Sequence, residues 1–301
     1  MEIRTLRYFL KVCEIENITR AAVALNTTQP NLSRQLYQLE EDLGQTLLIR
    51  GKRRITLTEE GKYLRKQAQD IINMADHTEN VLRSFQDNLT GEVYIGAAES
   101  MAMKFVGEII RESRNQYPGI HYHINSGNAQ DITDKLDRGL LDFGIIVEPV
   151  DFDKYNYLKL PVKDTWGILM QKASPLAEKK FICPEDLLDK PLYASSELLN
   201  VPGIKEWLGE SYLKFNPIMT FNLITNAALM IESGGGYVFS FDGLSYTGKD
   251  DPLAFRPLSP QIQASLYLIW RKYETFSNSA GKFLSLIKDV IEVAPPLIRN
   301  V

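Results

Sequence analysis

Thr19-Arg20-Ala21-Ala22-Val23-Ala24-Leu25, then Thr28-Gln29-Pro30-Asn31-Leu32-Ser33-Arg34-Gln35-Leu36, then Leu39-Glu40 and Leu43-Gly44: this stretch decides the fold. It reads as two helices joined by a short polar turn. Ala21, Ala22 and Leu25 give the first helix a small apolar face that lets a second helix cross closely. Asn26 and Thr27 interrupt the pattern as a turn does. Thr28 stands at an N-cap, and Pro30 falls in the first turn, where a missing N–H costs little. Leu32, Leu36, Leu39 and Leu43 recur at helical spacing. The opposite face carries Gln29, Asn31, Ser33, Arg34 and Gln38, side chains able to reach phosphates and base edges in a major groove.

On either side the pattern extends into a compact module. Leu6, Phe9, Leu10 and Cys13 share one face of a preceding helix over Ile3 to Glu14, closing a three-helix core. After Gly44, Thr46 to Ile49 reads as a strand, Gly51 as a turn and Arg54 to Leu57 as the return strand. Arg50, Lys52, Arg53 and Arg54 crowd the tip. A helix pair alone is often only a packing unit, and a basic run alone is often a solvated loop. Together, at this spacing, they predict a winged helix-turn-helix with Thr28, Gln29, Pro30, Asn31, Ser33, Arg34 and Gln38 on the reading helix and the four basic residues on the wing.

Thr58 begins a long helix reaching about Leu89. Leu64, Ala68, Ile71, Ala75, Thr78, Leu82, Phe85 and Leu89 alternate in steps of four and three, a heptad seam that predicts pairing with a second copy. Burial of this seam against the chain's own core is the alternative.

From Thr90-Gly91 onward, strands and helices alternate. Val93–Ala97, Ile120–Ile124 and Leu141–Val147, separated by helices over Met103–Tyr117 and Asp131–Arg138, form a βαβαβ unit with a parallel sheet. A second unit starts near Thr165, and Ser265 to Trp270 reads as a strand that returns to the first. Two lobes joined by two crossings predict a cleft for a small molecule at the carboxyl ends of the strands. The candidate ligand contacts are Glu99, Ser100, Met101, Gly127, Asn128, Ala129, Glu148, Ser196, Thr225 and Asn226. Ser100 and Thr225 precede helices, where a hydroxyl and free N–H groups hold an anion, although each also fits a plain cap. Glu99 and Glu148 point instead to an amine or a hydroxylated ligand. The expected division is residues 1–58, a helical linker 59–90, and 91–301, with lobe I made of 91–162 and 267–301 and lobe II of 163–266.

Composition agrees with this organisation. Residues 1–90 carry 13 Lys+Arg against 12 Asp+Glu, while the remainder carries 21 against 26, within a whole-chain charge of −4. Local clustering therefore argues for nucleic acid better than net charge does. Cys13 and Cys183 lie among apolar residues and read as buried, reduced thiols. Met1-Glu2-Ile3-Arg4 is charged and leads into an amphipathic helix, so no signal peptide and no membrane partner are expected, and the cytoplasm is the expected location. His121 and His123 alternate along a strand with no acidic ligand spacing, Gly234-Gly235-Gly236 follows a helix rather than a strand, and no nucleophile–base set appears. No metal and no catalytic residues are expected. A transport solute-binding protein fits the lobes but not the N-terminal module, and an enzyme lacks its chemistry.

The chain resembles the LysR-type transcriptional regulators over nearly its whole length. The similarity rests on Phe9, Thr19, Ala21-Ala22, Leu25, Gln29-Pro30, Ser33, Gln35, Leu39-Glu40, Leu43-Gly44, Leu47, Arg50, Arg53, Leu57-Thr58 and Gly61. In the C-terminal part it rests on Ile95-Gly96, Tyr117-Pro118-Gly119, Gly127, Leu136, Gly139, Leu141-Asp142, Pro175-Leu176-Ala177 and Glu232 to Val238. Asn17, Asn31, Leu48-Ile49 and Glu60 depart from the family pattern. The resemblance implies a winged helix, a linker helix and an effector domain like the type 2 periplasmic binding proteins. It also implies double-stranded promoter DNA, homodimers or homotetramers and RNA polymerase as partners, and no cofactor beyond a small-molecule co-inducer.

Overall fold

A computed structural model describes residues 1–51, 54–84, 89–201, 203–210, 215 and 217–293. The chain divides into two compact units, Met1–Leu82 and Arg83–Val301.

In the first unit, α1 (Ile3–Ile15), α2 (Ile18–Ala24) and α3 (Gln29–Leu43) precede the hairpin β1 (Leu48–Arg50) and β2 (Ile55–Leu57), and α4 (Glu59–Ser84) follows. Phe9, Val12, Ala21, Ala22, Leu32, Leu36 and Leu39 form one buried cluster with Leu47, Leu48 and Ile55 of the hairpin. The small face of α2 and the leucine face of α3 thus meet as their spacing requires, whereas Leu43 lies outside the core at 39% exposure. Asn17, a departure from the family pattern, caps α2: its side chain accepts from Arg20 N–H at 3.0 Å. Thr28 occupies the N-cap position of α3 but its side chain makes no capping bond. Thr58 does cap α4, accepting from Gly61 N–H at 3.0 Å while donating to Thr46 O at 2.7 Å. Glu60 falls in the first turn of α4, where a carboxylate suits the helix dipole.

Two expectations for this unit change. The first strand starts at Leu48 rather than Thr46, and the N–H groups of Leu47 and Leu48 go to the Glu40 carboxylate at 2.7 and 3.0 Å. The predicted heptad seam splits. Leu64 and Ala68 pack with Ile72 against Leu6 and Leu10 of α1, so that end of the stripe is satisfied within the chain. Ile71 and Leu82 are exposed, as is Met74, which the seam left out. Phe85 lies outside the described residues.

In the second unit, β3 (Gly91–Ala97), α5 (Ala102–Gln116), β4 (Ile120–Ser126), α6 (Ala129–Asp137) and β5 (Phe143–Val147) form lobe I, with β3 parallel to both β4 and β5. β6 (Tyr155–Gln171) then runs unbroken through both lobes. Lobe II adds β7 (Leu192–Ser195), α7 (Ile204–Leu208), β8 (Met219–Phe221), α8 (Ile224–Gly234), β9 (Tyr237–Phe241) and β10 (Leu253–Pro257). β11 (Gln263–Arg271) returns antiparallel to β6 and β5, and α9 (Asn278–Val293) closes lobe I. The strand order is β4-β3-β5-β11-β6-β9-β7-β8, with β10 on β6. Each lobe has its own core: Val93, Ile95, Phe143, Leu268 and Phe283 in one, Ile168, Met170, Ile182, Ile204 and Phe239 in the other. Gly235 and Gly236 end α8 at φ of 104° and 106°, the helix stop that the glycine run implies. His123 stacks on Tyr94 and meets Glu92, a polar strand face. Among the described residues no helix is long and apolar enough to cross a membrane.

Candidate functional site

The outward face of α3 is built by its buried one. With Leu32, Leu36 and Leu39 fixed in the core, the helical period turns Thr28, Gln29, Pro30, Arg34 and Gln38 to the surface and leaves Asn31 and Ser33 half-exposed. These side chains are ordered among themselves. Gln29 Nε2 donates to Ser33 Oγ at 2.8 Å, Asn31 Nδ2 to Thr27 Oγ1 at 3.0 Å, and Gln38 Nε2 to Asp42 Oδ1 at 3.0 Å. Arg34 reaches Asn31 Oδ1 at 3.5 Å, leaving most of its guanidinium donors directed outward. Arg50 ends β1. Arg54 is exposed and lies 3.8 Å from Glu16. Lys52 and Arg53 lie outside the described residues.

The two thiols are half-buried rather than fully buried, and both are free. Burial pushes the Cys13 thiol up to about 11, against a smaller opposing pull from Arg65. Among the described residues no group of three or more His, Cys, Asp or Glu could hold a metal ion.

Between the lobes of the second unit lies a cavity of about 500 Å³. Glu99, Gly127, Asn128, Ala129, Glu148 and Ser196 line it, as their places at strand ends predict. Ser100, Met101, Thr225 and Asn226 do not. Ser100 is buried and its Oγ accepts from Ala102 N–H at 2.9 Å, one residue ahead of the N-cap Met101 of α5. Thr225 sits inside the first turn of α8, not before it. Asn128 is the N-cap of α6, its side chain accepting from Asp131 N–H at 2.8 Å.

Beside Thr225 the chain supplies a carboxylate of its own. Ile224 N–H donates to Glu99 Oε2, and Thr225 Oγ1 lies 3.4 Å from Glu99 Oε1. A carboxylate of lobe I therefore sits on the N-terminus of a lobe II helix. Glu148 brackets the crossing of the lobes: its N–H donates to Ser265 O at 3.1 Å and its Oε1 accepts from Ser265 N–H at 2.9 Å. Three contributors escaped sequence reading. Trp166, just past the β6 crossing, forms a cavity wall with Phe241, ring centroids 4.1 Å apart. Asn222 lines it one residue beyond β8. On the lobe I rim, Lys154 Nζ donates to Asp137 Oδ2 at 2.5 Å. The crossing after Val162 was the available signal for Trp166, since strands that cross between lobes form the floor of the cleft.

The family description "LysR substrate binding domain" matches residues 86–292, and "Bacterial regulatory helix-turn-helix protein, lysR family" matches residues 3–62. The Hca operon transcriptional activator HcaR of Escherichia coli (strain K12) is 28% identical over 303 residues, spanning 96% of this chain and 98% of its own. The transcriptional activator CmpR of Synechocystis sp. is 27% identical over 287 residues, spanning 93% and 92%. The crystal structure of CbnR, a LysR family transcriptional regulator, matches with TM-score 0.72 at 18% identity, over 96% of this chain and 99% of its own. Full-length CbnR complexed with its target DNA matches with TM-score 0.71 at 17% identity, again over 96% and 99%. Those structural likenesses establish the fold. A helix-turn-helix unit ahead of a two-lobed α/β unit is the architecture of a ligand-responsive transcriptional regulator. The chain belongs to the LysR family, with a helix-turn-helix DNA-binding domain and an effector-binding domain.

Proposed function

We propose that this chain binds double-stranded promoter DNA as a homodimer or homotetramer in the cytoplasm, catalyses no reaction, and changes its DNA affinity or bending when a small molecule enters the interlobe cavity. One observation carries the reading: Gln29, Ser33, Arg34 and Gln38 face outward from a helix whose inward face is fixed by three buried leucines. In this proposal Gln29, Ser33 and Arg34 contact bases or phosphates, with Thr28, Pro30, Asn31 and Gln38 beside them. Arg50, Lys52, Arg53 and Arg54 contact the backbone from the wing. Exposed Ile71, Met74 and Leu82 on α4 support pairing with a second copy. Two recognition helices about one DNA turn apart then read a two-fold site, and RNA polymerase is the downstream partner. Effector coupling is expected at about 1–3 kcal/mol. In a gel-shift titration at fixed salt against DNA upstream of its own gene, Arg34→Ala weakens specific binding by about 1–3 kcal/mol. Unchanged affinity overturns the assignment of Arg34.

A further inference from the structure

We infer that Glu99, Ser100 and Met101 form a latch between the lobes of the second unit, in which the Glu99 carboxylate on the N-terminus of α8 and the Met101 side chain on Gly243 hold the lobes together at one side of the cavity. The latch itself stands on geometry, and its effect on DNA rests on the regulatory reading above.

The base of the latch is fixed in place. The three residues lie in the connection between β3 and α5. Ser100 is buried and its Oγ accepts from Ala102 N–H at 2.9 Å. Met101 N–H donates to Asp164 Oδ1, on β6, at 3.3 Å. Tied at these two points, the segment has little freedom of its own, and the side chains on either side of Ser100 reach lobe II.

Glu99 is the first prong. Its Oε2 accepts from Ile224 N–H, and its Oε1 lies 3.4 Å from Thr225 Oγ1. Ile224 opens α8, so its N–H has no partner within the helix. Leu223, at the N-cap, has no polar side chain to take that donor. A carboxylate there satisfies it and also meets the positive end of the helix dipole, a charge-assisted contact stronger than a neutral one.

Met101 is the second prong. A Cβ at Gly243, just past β9, would lie 2.9 Å from Met101 Cε and 3.0 Å from its Sδ. The methionine therefore lies directly against that glycine, and a flexible thioether suits such an irregular gap.

Glu99, Ile224 and Leu244 line the cavity, so the two prongs bound it on one side. Any swing of a lobe about β6 and β11 that widens this side strips the acceptor from Ile224 N–H and uncovers Met101. Both losses come together, because one short segment carries both contacts. A ligand shifts the balance between latched and unlatched arrangements only by binding one of them better. Removing Glu99 biases the same balance with no ligand added.

The test uses the full-length protein with spin labels on opposite rims of the cavity, at Asp134→Cys in lobe I and Asn200→Cys in lobe II, both exposed positions. Cys13→Ser and Cys183→Ser remove the native thiols, and excess unlabelled protein confines the measured distances to one chain. Pulsed dipolar spectroscopy should show the label distance shifted to longer values in Glu99→Ala and in Met101→Ala. Glu99→Gln, which keeps an oxygen and the side-chain shape, should shift it less, and it carries the test if Glu99→Ala fails to fold. The Ile224 amide should exchange about tenfold faster in Glu99→Ala than in the unmodified protein. The inference is overturned if the distances match those of the unmodified protein, if only one of the Glu99 and Met101 substitutions shifts them, or if Ile224 exchange is unchanged. Gel shifts of the unlabelled variants read the second level: DNA retention by Glu99→Ala should change about fivefold or more. Lobes that part while retention stays constant support the latch and sink the regulatory reading.

Discussion

Replacing Glu40 with alanine should loosen the wing from the recognition helix. Leu39 points into the core, so the next position on α3 is half-buried and faces the hairpin. From there Glu40 Oε1 accepts from Leu47 N–H at 2.7 Å and from Leu48 N–H at 3.0 Å. Both leucines are buried, so those amides have little water to turn to. A hydrogen bond to a charged acceptor contributes about 1.5–3 kcal/mol, and a donor left unpaired when buried costs about 1–3 kcal/mol. Water reaching the half-exposed carboxylate position moderates both figures. The expected loss for Glu40→Ala is about 2–4 kcal/mol in the first unit, and Glu40→Gln, which keeps an oxygen, should recover more than half. Hydrogen exchange resolves the effect at the two amides: Leu47 and Leu48 should exchange about a hundredfold faster in Glu40→Ala. Identical exchange at both amides, with stability changed by less than about 0.5 kcal/mol, would refute the reasoning.

Further outcomes follow from the same geometry. A Cβ at Gly61 would lie 2.2 Å from Leu47 O, so Gly61→Ala should lower thermal stability by about 2 kcal/mol or more, although alanine ordinarily favours a helix by about 1 kcal/mol; an unchanged or raised Tm contradicts the packing. Burial drives the Asp142 carboxyl up to about 7, with Glu274 adding to the rise and Tyr94 N–H, at 2.8 Å, and Arg271 opposing it. A folded value above the unfolded one means that Asp142 stabilises fully below about pH 4 and that this contribution is lost as pH rises through 7. Stability of the second unit should therefore fall over that window by up to about 4 kcal/mol more than in Asp142→Asn; parallel denaturation profiles for the two proteins would rule this out. With its thiol pushed up to about 11, Cys13 is thiolate in about one molecule per thousand at pH 8. Iodoacetamide should label it about a hundredfold more slowly than after unfolding, and peptide mapping that finds prompt labelling of the folded chain would refute the assignment.

The helix-turn-helix was legible because its information is local: small residues on α2, leucines at helical spacing on α3, and a polar turn between them. The heptad stripe on α4 was equally visible, but spacing cannot distinguish a neighbouring helix of the same chain from a copy. Leu64 and Ala68 met α1 of their own chain. The sequence reading named no strand between Val147 and Thr165, the stretch that holds the first half of β6 and Pro161. In the structure Lys159 pairs with Tyr267 and Lys163 with Ser265, so Leu160, Pro161 and Val162 stand opposite Leu266 alone. The proline sits in a bulge, where its missing N–H breaks no ladder bond. Six of the ten candidate ligand contacts read from strand ends line the cavity, since topology fixes where strands stop. Ser100 and Thr225 lie outside the lining: Ser100 Oγ accepts from Ala102 N–H and Thr225 Oγ1 lies beside the Glu99 carboxylate, uses of a hydroxyl that sequence does not separate from ligand contact.

The continuity of β6 limits how the second unit can move. Its two halves are not beads on a flexible tether: β6 and β11 are hydrogen-bonded to each other on both sides of the bulge and carry one sheet from lobe to lobe. Pulling the lobes apart would rupture that ladder, while twisting the two strands about their common axis would leave it intact. A signal originating in the cavity must therefore leave it as torque, a small screw rotation whose reach grows with distance from the shared strands.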